Sequence, residues 1–381
     1  MDAIRRHGAL TQVEVAGVTG LSPATVSNIV KELTVAGVLS TRLTVRSGRR
    51  ATEVRLARTM GLVAGVDFGF RHLRVALADL SSRIVAEQHM PLPADHRADA
   101  GLDRAALLVG DLLDSLGTDS REVRGVGLGL PAPVDSATGA VAHTGVLRGW
   151  SGVPVAAVLS ARLGVPVSVD NDANLGALAE SRYGAAQGCR DAVYIRVSHG
   201  VGAGLILDGH VFRGHAGTAG EIGHVTIDEN GPVCRCGNRG CLETFVRAPV
   251  LLELLRPSHG TLVLRDVIAL ATQGDPGCRR VIADAGRHIG VAAASVVNLL
   301  NPQRIVVGGA LADAGDLLLD PLRAAVDRLA ISTAAASLQV VRGALAERAE
   351  VLGAIALALD QVRVDMPGTQ DVPDSHSPAP S

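Results

Sequence analysis

At 381 residues, 47% of them apolar and only 2% aromatic, the chain has material for two or three domains with cores of Ala, Val, Leu and Gly. No apolar run is long enough for a membrane span and the N-terminus has no secretory h-region, so a cytoplasmic protein without a membrane partner is expected. The formal net charge of −2 excludes a chain that is basic throughout, and a single lysine, Lys31, excludes a Walker-type nucleotide loop, which needs a lysine after its glycines.

Residues 1–58 hold nine Lys/Arg against four acids, a net charge of about +5, which leaves the rest of the chain acidic. Only a stub, Asp2 to His7, precedes a capping box at Thr11-Gln-Val-Glu14. Gly20 closes the helix that follows, and Ser22-Pro23 opens a second one that Gly37 ends. This is the frame of a helix-turn-helix. Val26, Ile29 or Val30, and Leu33 form its buried stripe; Thr25, Ser27, Asn28 and Lys31 lie near the start of the second helix, where such a module reaches base edges. A strand at Val38-Leu39-Ser40, a basic turn at Arg46-Ser-Gly-Arg-Arg50 and a strand at Glu53-Val-Arg-Leu56 complete a winged helix-turn-helix whose wing offers Arg49 and Arg50 to phosphates or a minor groove. The bland reading of Ser22, Thr25 and Ser27 is capping and solubility, and of Arg49 and Arg50 a solvated turn.

From Leu62 the pattern alternates strand and helix, which predicts an α/β fold. Val63–Gly69 and Arg74–Asp79 read as strands about a turn that carries Asp67 and Gly69. Arg124–Pro131 reads as a buried strand. A strand at Val165–Val169 delivers Asp170-Asn-Asp-Ala-Asn174 to its end before a helix from Leu175 to Tyr183, and such strand ends hold ligands in α/β sheets. A second half starts with a strand at Ala192–Val197, a glycine loop at Ser198-His-Gly-Val-Gly-Ala-Gly204 able to bring backbone N–H groups to an anion, and a strand from Leu205 to Leu207 turning at Asp208-Gly209. Helices run to about Leu300. A strand, Arg304-Ile-Val-Val-Gly308-Gly309, ends in a glycine pair, and helices close the fold near Val362. The tail from Asp365 to Ser381, rich in Pro, Ser and Asp, is expected to be disordered.

Between these strands lies the most informative stretch, Gly217–Glu243. His224, Cys234, Cys236 and Cys241 fall in the order H-x9-C-x-C-x4-C, a closed ligand set for a structural zinc ion. Gly237 and Gly240 permit the tight turns that fold the thiols onto one ion. The bland alternative is three reduced, metal-free cysteines; a Cys234–Cys236 disulfide is disfavoured by so short a ring. Glu221 and Glu243 flank the ligands without belonging to them.

Taken together, Asp67-x-Gly69, Asn171-Asp-Ala-Asn174, Gly200-Val-Gly-Ala-Gly204, Glu221-Ile-Gly-His224, Cys234-x-Cys236-Gly-x-x-Gly-Cys241-x-Glu243 and Gly308-Gly309 resemble the ROK family, which groups bacterial sugar-responsive repressors with sugar kinases. The resemblance spans residues 62 to about 360, and the basic head resembles the regulator branch. It implies an actin-like or ribonuclease-H-like fold of two lobes: residues 62–180, completed by a helix at about 346–363, and residues 181–345 with the zinc site. It implies that Asn171, Asp172, Glu221, His224 and Glu243 contact sugar, that Asp172 takes the place of the kinases' general base, and that Asp67, Gly69, Gly200, Gly202, Gly204, Gly308 and Gly309 line the place of a nucleotide.

The departures bear on activity. Where the kinases read Asp-x-Gly-Gly-Thr, Gly69 is followed by Phe70, Arg71 and His72; where Gly-Thr precedes the second glycine loop, Ser198-His199 stands; Ala132 replaces a common glycine. Phosphoryl transfer rests on positioning and charge stabilisation at the phosphates, so Phe70 and His199 argue against use of ATP and Mg²⁺, while Ala132 bears on sugar affinity. The expected protein is a sugar-responsive transcriptional regulator, a repressor, binding operator DNA as a homodimer or homotetramer with sugar or sugar phosphate in its cleft. The alternatives are an ATP-dependent hexose kinase with a DNA-binding arm and a zinc-stabilised interaction protein with an empty cleft.

Overall fold

The computed structural model describes residues 1–46, 48–93, 96–135, 138–141, 147 and 149–362, and the side chains of all of these except Asp2, Arg5 and Arg49. The tail expected to be disordered lies outside the described residues.

Local signals build the head. A short helix α1 (Asp2–His7) leads to β1 (Leu10–Thr11) and α2 (Gln12–Thr19). The capping box forms: Glu14 N–H donates to Thr11 Oγ1 at 3.3 Å, and Thr11 N–H donates to Glu14 Oε2 at 2.7 Å. Gly20, at φ 70°, ends α2 in the left-handed region. Ser22 caps α3 (Pro23–Val35), which buries Val26 and Val30 and leaves Ile29 outside. The hairpin β2 (Leu39–Arg46) and β3 (Arg49–Leu56) forms the wing, with β1 added to β3 in a three-stranded sheet.

The body holds two five-stranded sheets. The first comprises β4 (Leu62–Phe68), β5 (His72–Asp79), β6 (Ile84–Pro91), then after α4 (Ala98–Ser115) the strand β7 (Val123–Leu130), and after α5 (Val155–Leu163) the strand β8 (Val167–Asn171). Its order is β6-β5-β4-β7-β8. Helix α6 (Asp172–Tyr183) leads to the second sheet, β9 (Ala192–Val197), β10 (Val201–Leu207) and β11 (His210–Phe212). Helices α7 (Glu243–Val246), α8 (Ala248–His259), α9 (Leu264–Thr272) and α10 (Pro276–Leu300) intervene before β12 (Arg304–Gly308). Helices α11 (Asp316–Leu329) and α12 (Ser332–Ser337), strand β13 (Gln339–Arg342) and helix α13 (Ala349–Gln361) close the chain. The second order, β11-β10-β9-β12-β13, repeats the first: an antiparallel meander of three strands extended by two parallel ones. Among the described residues no helix is long and apolar enough to cross a membrane.

Several boundaries differ from the sequence reading, and three of them bear on the cleft. Strand β8 runs two residues further and α6 begins at Asp172, because the Asn171 side chain accepts from Ala173 N–H and so caps the helix at the strand's end. The stretch read as a glycine loop up to Gly204 is instead strand from Val201, with Gly202 and Gly204 paired to Arg196 and Tyr194. Those glycines serve packing: a Cβ on Gly204 would lie 2.4 Å from the carbonyl oxygen of Ala173 on α6.

Helix α13 is apolar on every side because it is buried on every side. One face meets the first sheet so closely that a Cβ at Gly127 would overlap the Ala354 carbonyl at 1.9 Å. A second packs Ala354, Ala356 and Leu357 against Leu175 and Leu178 of α6. Val351, Ile355, Ala358 and Leu359 share one cluster with Val63, Ala76, Ala78 and Leu80 of the first sheet and with Ile4, Val26, Val30, Val54 and Leu56 of the head. Head and body therefore have a common core.

Candidate functional site

A cavity of about 490 Å³ opens between the two large sheets. Phe70, Ala132, Asn171 and Asp172 come from the first; Arg196, Gly200, Glu221, His224, Arg235 and Glu243 come from the second and its long insertion. All five residues singled out for sugar contact line this one cavity.

Asn171 spends half of its amide on structure, accepting from Ala173 N–H at 2.8 Å and donating to the Ala132 carbonyl at 3.2 Å, which leaves one N–H and one lone pair. Asp172 is 5% exposed and pairs with Arg196 Nη1 at 3.1 Å. Burial raises its pKa to about 6 against the opposing pull of Arg196, with Glu350 and Asp67 adding to the rise. Glu221 is pushed up to about 7, first by burial and then by the charges of Asp172 and Glu243. Glu243 is 2% exposed; it accepts from Arg235 at 2.7 Å and from Val201 N–H at 3.3 Å. The Arg235 guanidinium lies 5.9 Å above the Phe70 ring.

Past Phe70 and Arg196 the cleft continues as a second cavity of about 330 Å³, lined also by His72, Ser198, His199, Gly309 and Glu350. The turn after β4 closes with Gly69 N–H on the His72 carbonyl, and the His72 ring covers Gly69, where a Cβ would meet it at 2.0 Å. His72 Nε2 lies 3.0 Å from Asp67 Oδ2. Burial alone would lower the His72 pKa, but the bond and charge of Asp67 outweigh it and raise it. Phe70 and His199 stand with ring centroids 6.0 Å apart. Gly308 makes room for the Tyr194 ring and Gly309 for the Val197 backbone, and Gly309 also lines this second cavity.

His224, Cys234, Cys236 and Cys241 converge, each with a ligand atom within 4.8 Å of the others. Cys236 and Cys241 sulfurs are 3.7 Å apart, and Cys234 Sγ is 3.6 Å from His224 Nδ1. A tetrahedral ion with metal–sulfur bonds of about 2.3 Å sets edges of about 3.8 Å, so the donor set fits zinc; a disulfide would need about 2.05 Å. Gly237 and Gly240 both take positive φ, 95° and 66°, and at Gly240 a Cβ would overlap the Asp228 carbonyl. Because Nδ1 faces the thiols, His224 Nε2 is left facing Glu221 at 3.9 Å. One imidazole can thus serve both the ion and the cleft.

On the head, Thr25, Ser27, Asn28 and Lys31 are exposed on α3, as is Arg50 on the wing. Ser22 is spent on capping: its Oγ accepts from Thr25 N–H at 3.1 Å and lies 2.8 Å from Thr25 Oγ1. Arg46 turns back to Glu14 at 3.2 Å. The Arg49 side chain lies outside the described residues.

Sequence reasoning missed Arg196, Arg235 and Glu350. Arg196 carried a signal, a lone charge in the apolar strand Ala-Val-Tyr-Ile-Arg-Val, because a buried arginine requires an acid partner. Arg235, between two metal-ligand cysteines, carried none.

Comparison with known proteins agrees with this arrangement. The profile of the ROK family matches residues 63–361, and one described as winged helix-turn-helix DNA-binding matches residues 1–40. The DNA-binding transcriptional dual regulator NagC of Escherichia coli (strain K12) is 32% identical over 369 residues, covering 93% of this chain and 89% of its own. A crystal structure of a ROK family transcriptional regulator, homolog of the E. coli MLC protein, superposes with a TM-score of 0.73 at 27% identity over 92% of both chains. A ROK family glucokinase from Streptomyces griseus, in complex with glucose and AMPPNP, gives a TM-score of 0.70 at 29% identity; all of it is covered, but only 79% of this chain.

Proposed function

The chain belongs to the ROK family, and from that premise we propose that it is a transcriptional repressor answering to a sugar or sugar phosphate held in the cleft. Residues 1–58 act as the DNA-binding unit. Thr25, Ser27, Asn28 and Lys31 face base edges, while Arg49 and Arg50 meet phosphates. A homodimer or homotetramer engages a palindromic operator, since paired heads match paired half-sites.

In the cleft, each hydroxyl of a pyranose both donates and accepts. Asn171, Asp172, Glu221, His224 and Glu243 supply both kinds of partner, and acids whose pKa values approach neutrality can act in either sense. A structural zinc ion on His224, Cys234, Cys236 and Cys241 fixes the segment that carries three of these groups.

The observation that carries this reading is the position of Arg196. It ties up Asp172, which a phosphoryl-transfer base would need free, and binds Glu350 at the start of α13, a helix that shares one buried cluster with the first sheet and the head. A ligand that pulls on Asp172 therefore acts on an element shared with the DNA-binding unit. The alternative, an ATP-dependent hexose kinase with a DNA-binding arm, draws on Asp172 lining the cleft.

Genomic fragments captured by purified protein supply the operator. Fragment binding is then measured against a panel of aldoses, their N-acetyl derivatives and their 6-phosphates, with ADP release followed in parallel. A sugar that shifts DNA affinity without ADP release supports the repressor. Sugar-dependent ADP release that is lost in Asp172→Asn, with no effect on DNA, supports the kinase.

A further inference from the structure

At the seam between head and body lies another cavity, of about 470 Å³, lined by four arginines from three separate segments. Arg42 and Arg55 come from the wing strands, Arg58 from the connector and Arg83 from the β5–β6 turn. Ser40 adds a hydroxyl. Arg55 is paired with Glu53 at 2.5 Å, and Arg58 donates to Thr118 Oγ1 at 3.0 Å; among the described residues Arg42, Arg58 and Arg83 form no ion pair. The lining carries one acid, Asp79, whose Oδ1 already accepts the N–H groups of Ser81 and Arg83 at 2.9 and 3.0 Å. Guanidinium groups gathered round a concave space with so little countercharge repel one another, and an anion held by their N–H groups relieves that repulsion.

The register decides what kind of anion fits. Ser40 pairs with Arg55 and Arg42 with Glu53 across the hairpin, so these side chains share one face. The opposite face carries Val54, which packs with Val26 and Val30 of α3 in the head core. A duplex on the exposed side of α3 therefore lies across the sheet from the arginines. The cavity has room for a small molecule.

We propose that this seam is a second effector site, separate from the cleft, taking a small phosphate-bearing anion. Bound there, the anion clasps the wing strands to the connector and to the first sheet and so restricts the head's freedom to turn. The site does not depend on the sugar reading of the cleft.

The test titrates inorganic phosphate into the full-length, zinc-loaded protein by calorimetry, against chloride at equal ionic strength. Saturable binding is expected, weakened roughly tenfold or more in Arg42→Ala/Arg83→Ala, since each removes charged hydrogen bonds. Arg121→Ala, an exposed arginine elsewhere, leaves it unchanged. Should the double variant not fold, Arg83→Lys keeps the charge but loses the planar fork, and weaker phosphate binding at an unchanged melting temperature supports the site equally. Absence of saturable binding, or its full retention in a folded Arg42→Ala/Arg83→Ala, overturns the proposal. So does its loss in Arg235→Ala, which would place the anion in the cleft. If the arginine variant loses affinity only for a duplex lacking the operator, the patch serves DNA backbone and the proposal falls.

Discussion

Arg196 Nε donates to Glu350 Oε1 at 2.7 Å, joining the second sheet to the first turn of α13 across 154 residues of sequence. Both side chains are buried, and the other arm of the same guanidinium holds Asp172 in the cleft wall. Removing one partner of a buried charge network leaves uncompensated charge, which typically costs about 3–5 kcal/mol. Arg196→Met is therefore expected to lower the unfolding free energy by about that amount.

The same geometry predicts where the loss is felt. Because α13 shares its core with the head, amide exchange in Arg196→Met should quicken along residues 351–361 and in the head around Val26, Val30 and Val54, far from the substituted strand. Mass spectrometry of exchanged peptides reads this directly. Quickening confined to β9 and α6 would make the network a local brace with no route to the head.

How much of this the sequence could reveal depended on the distance between partners. The Thr11–Glu14 box and the convergence of His224, Cys234, Cys236 and Cys241 were legible because their spacing is short and set by local geometry. Fold class followed from alternating strand and helix patterns. The Arg196–Glu350 bond joins residues with no shared motif, and only tertiary packing brings them together. Gly202 and Gly204 show a pattern that two roles can share. A glycine-rich run resembles a phosphate loop whether its hydrogens face an anion or simply make room for Ala173 and Ala177.

Asp172 makes stability depend on pH in a stated direction. Its folded pKa of about 6 stands above the usual 3.8, so between those values the folded state holds more proton than the unfolded. The contribution is complete below pH about 4 and is lost as pH rises through about 6, on the order of 1–3 kcal/mol. The difference in unfolding free energy between the wild type and Asp172→Asn, followed by fluorescence of the single tryptophan, buried Trp150, should change across that window and level off above it. A flat difference from pH 4 to 7 would show the carboxyl unshifted.

The metal cluster gives a test independent of ligand. Cys241 is pushed up to about 12, first by burial and then by the neighbouring thiols, so without an ion it resists becoming a thiolate beside them. A bound zinc removes that conflict. Cys236→Ser, or removal of metal with a chelator, should lower bound zinc measured by elemental analysis and lower the melting temperature, with added zinc restoring the chelated wild type alone. Unaltered stability at zero metal would leave three ordinary reduced cysteines.

For the head, salt dependence separates phosphate contacts from base contacts. Lys31 and Arg50 are exposed on the recognition helix and the wing. Each phosphate contact removed should lower the slope of log affinity against log salt by about 0.9. If Arg50 meets a phosphate, Arg50→Ala weakens binding to all duplexes alike with that loss of slope. If Asn28 reads a base edge, Asn28→Ala keeps the slope and instead lowers discrimination between operator and random duplex by about 1–3 kcal/mol. Anisotropy titrations at several salt concentrations distinguish the two, and an unchanged slope in Arg50→Ala would remove the wing from the DNA interface.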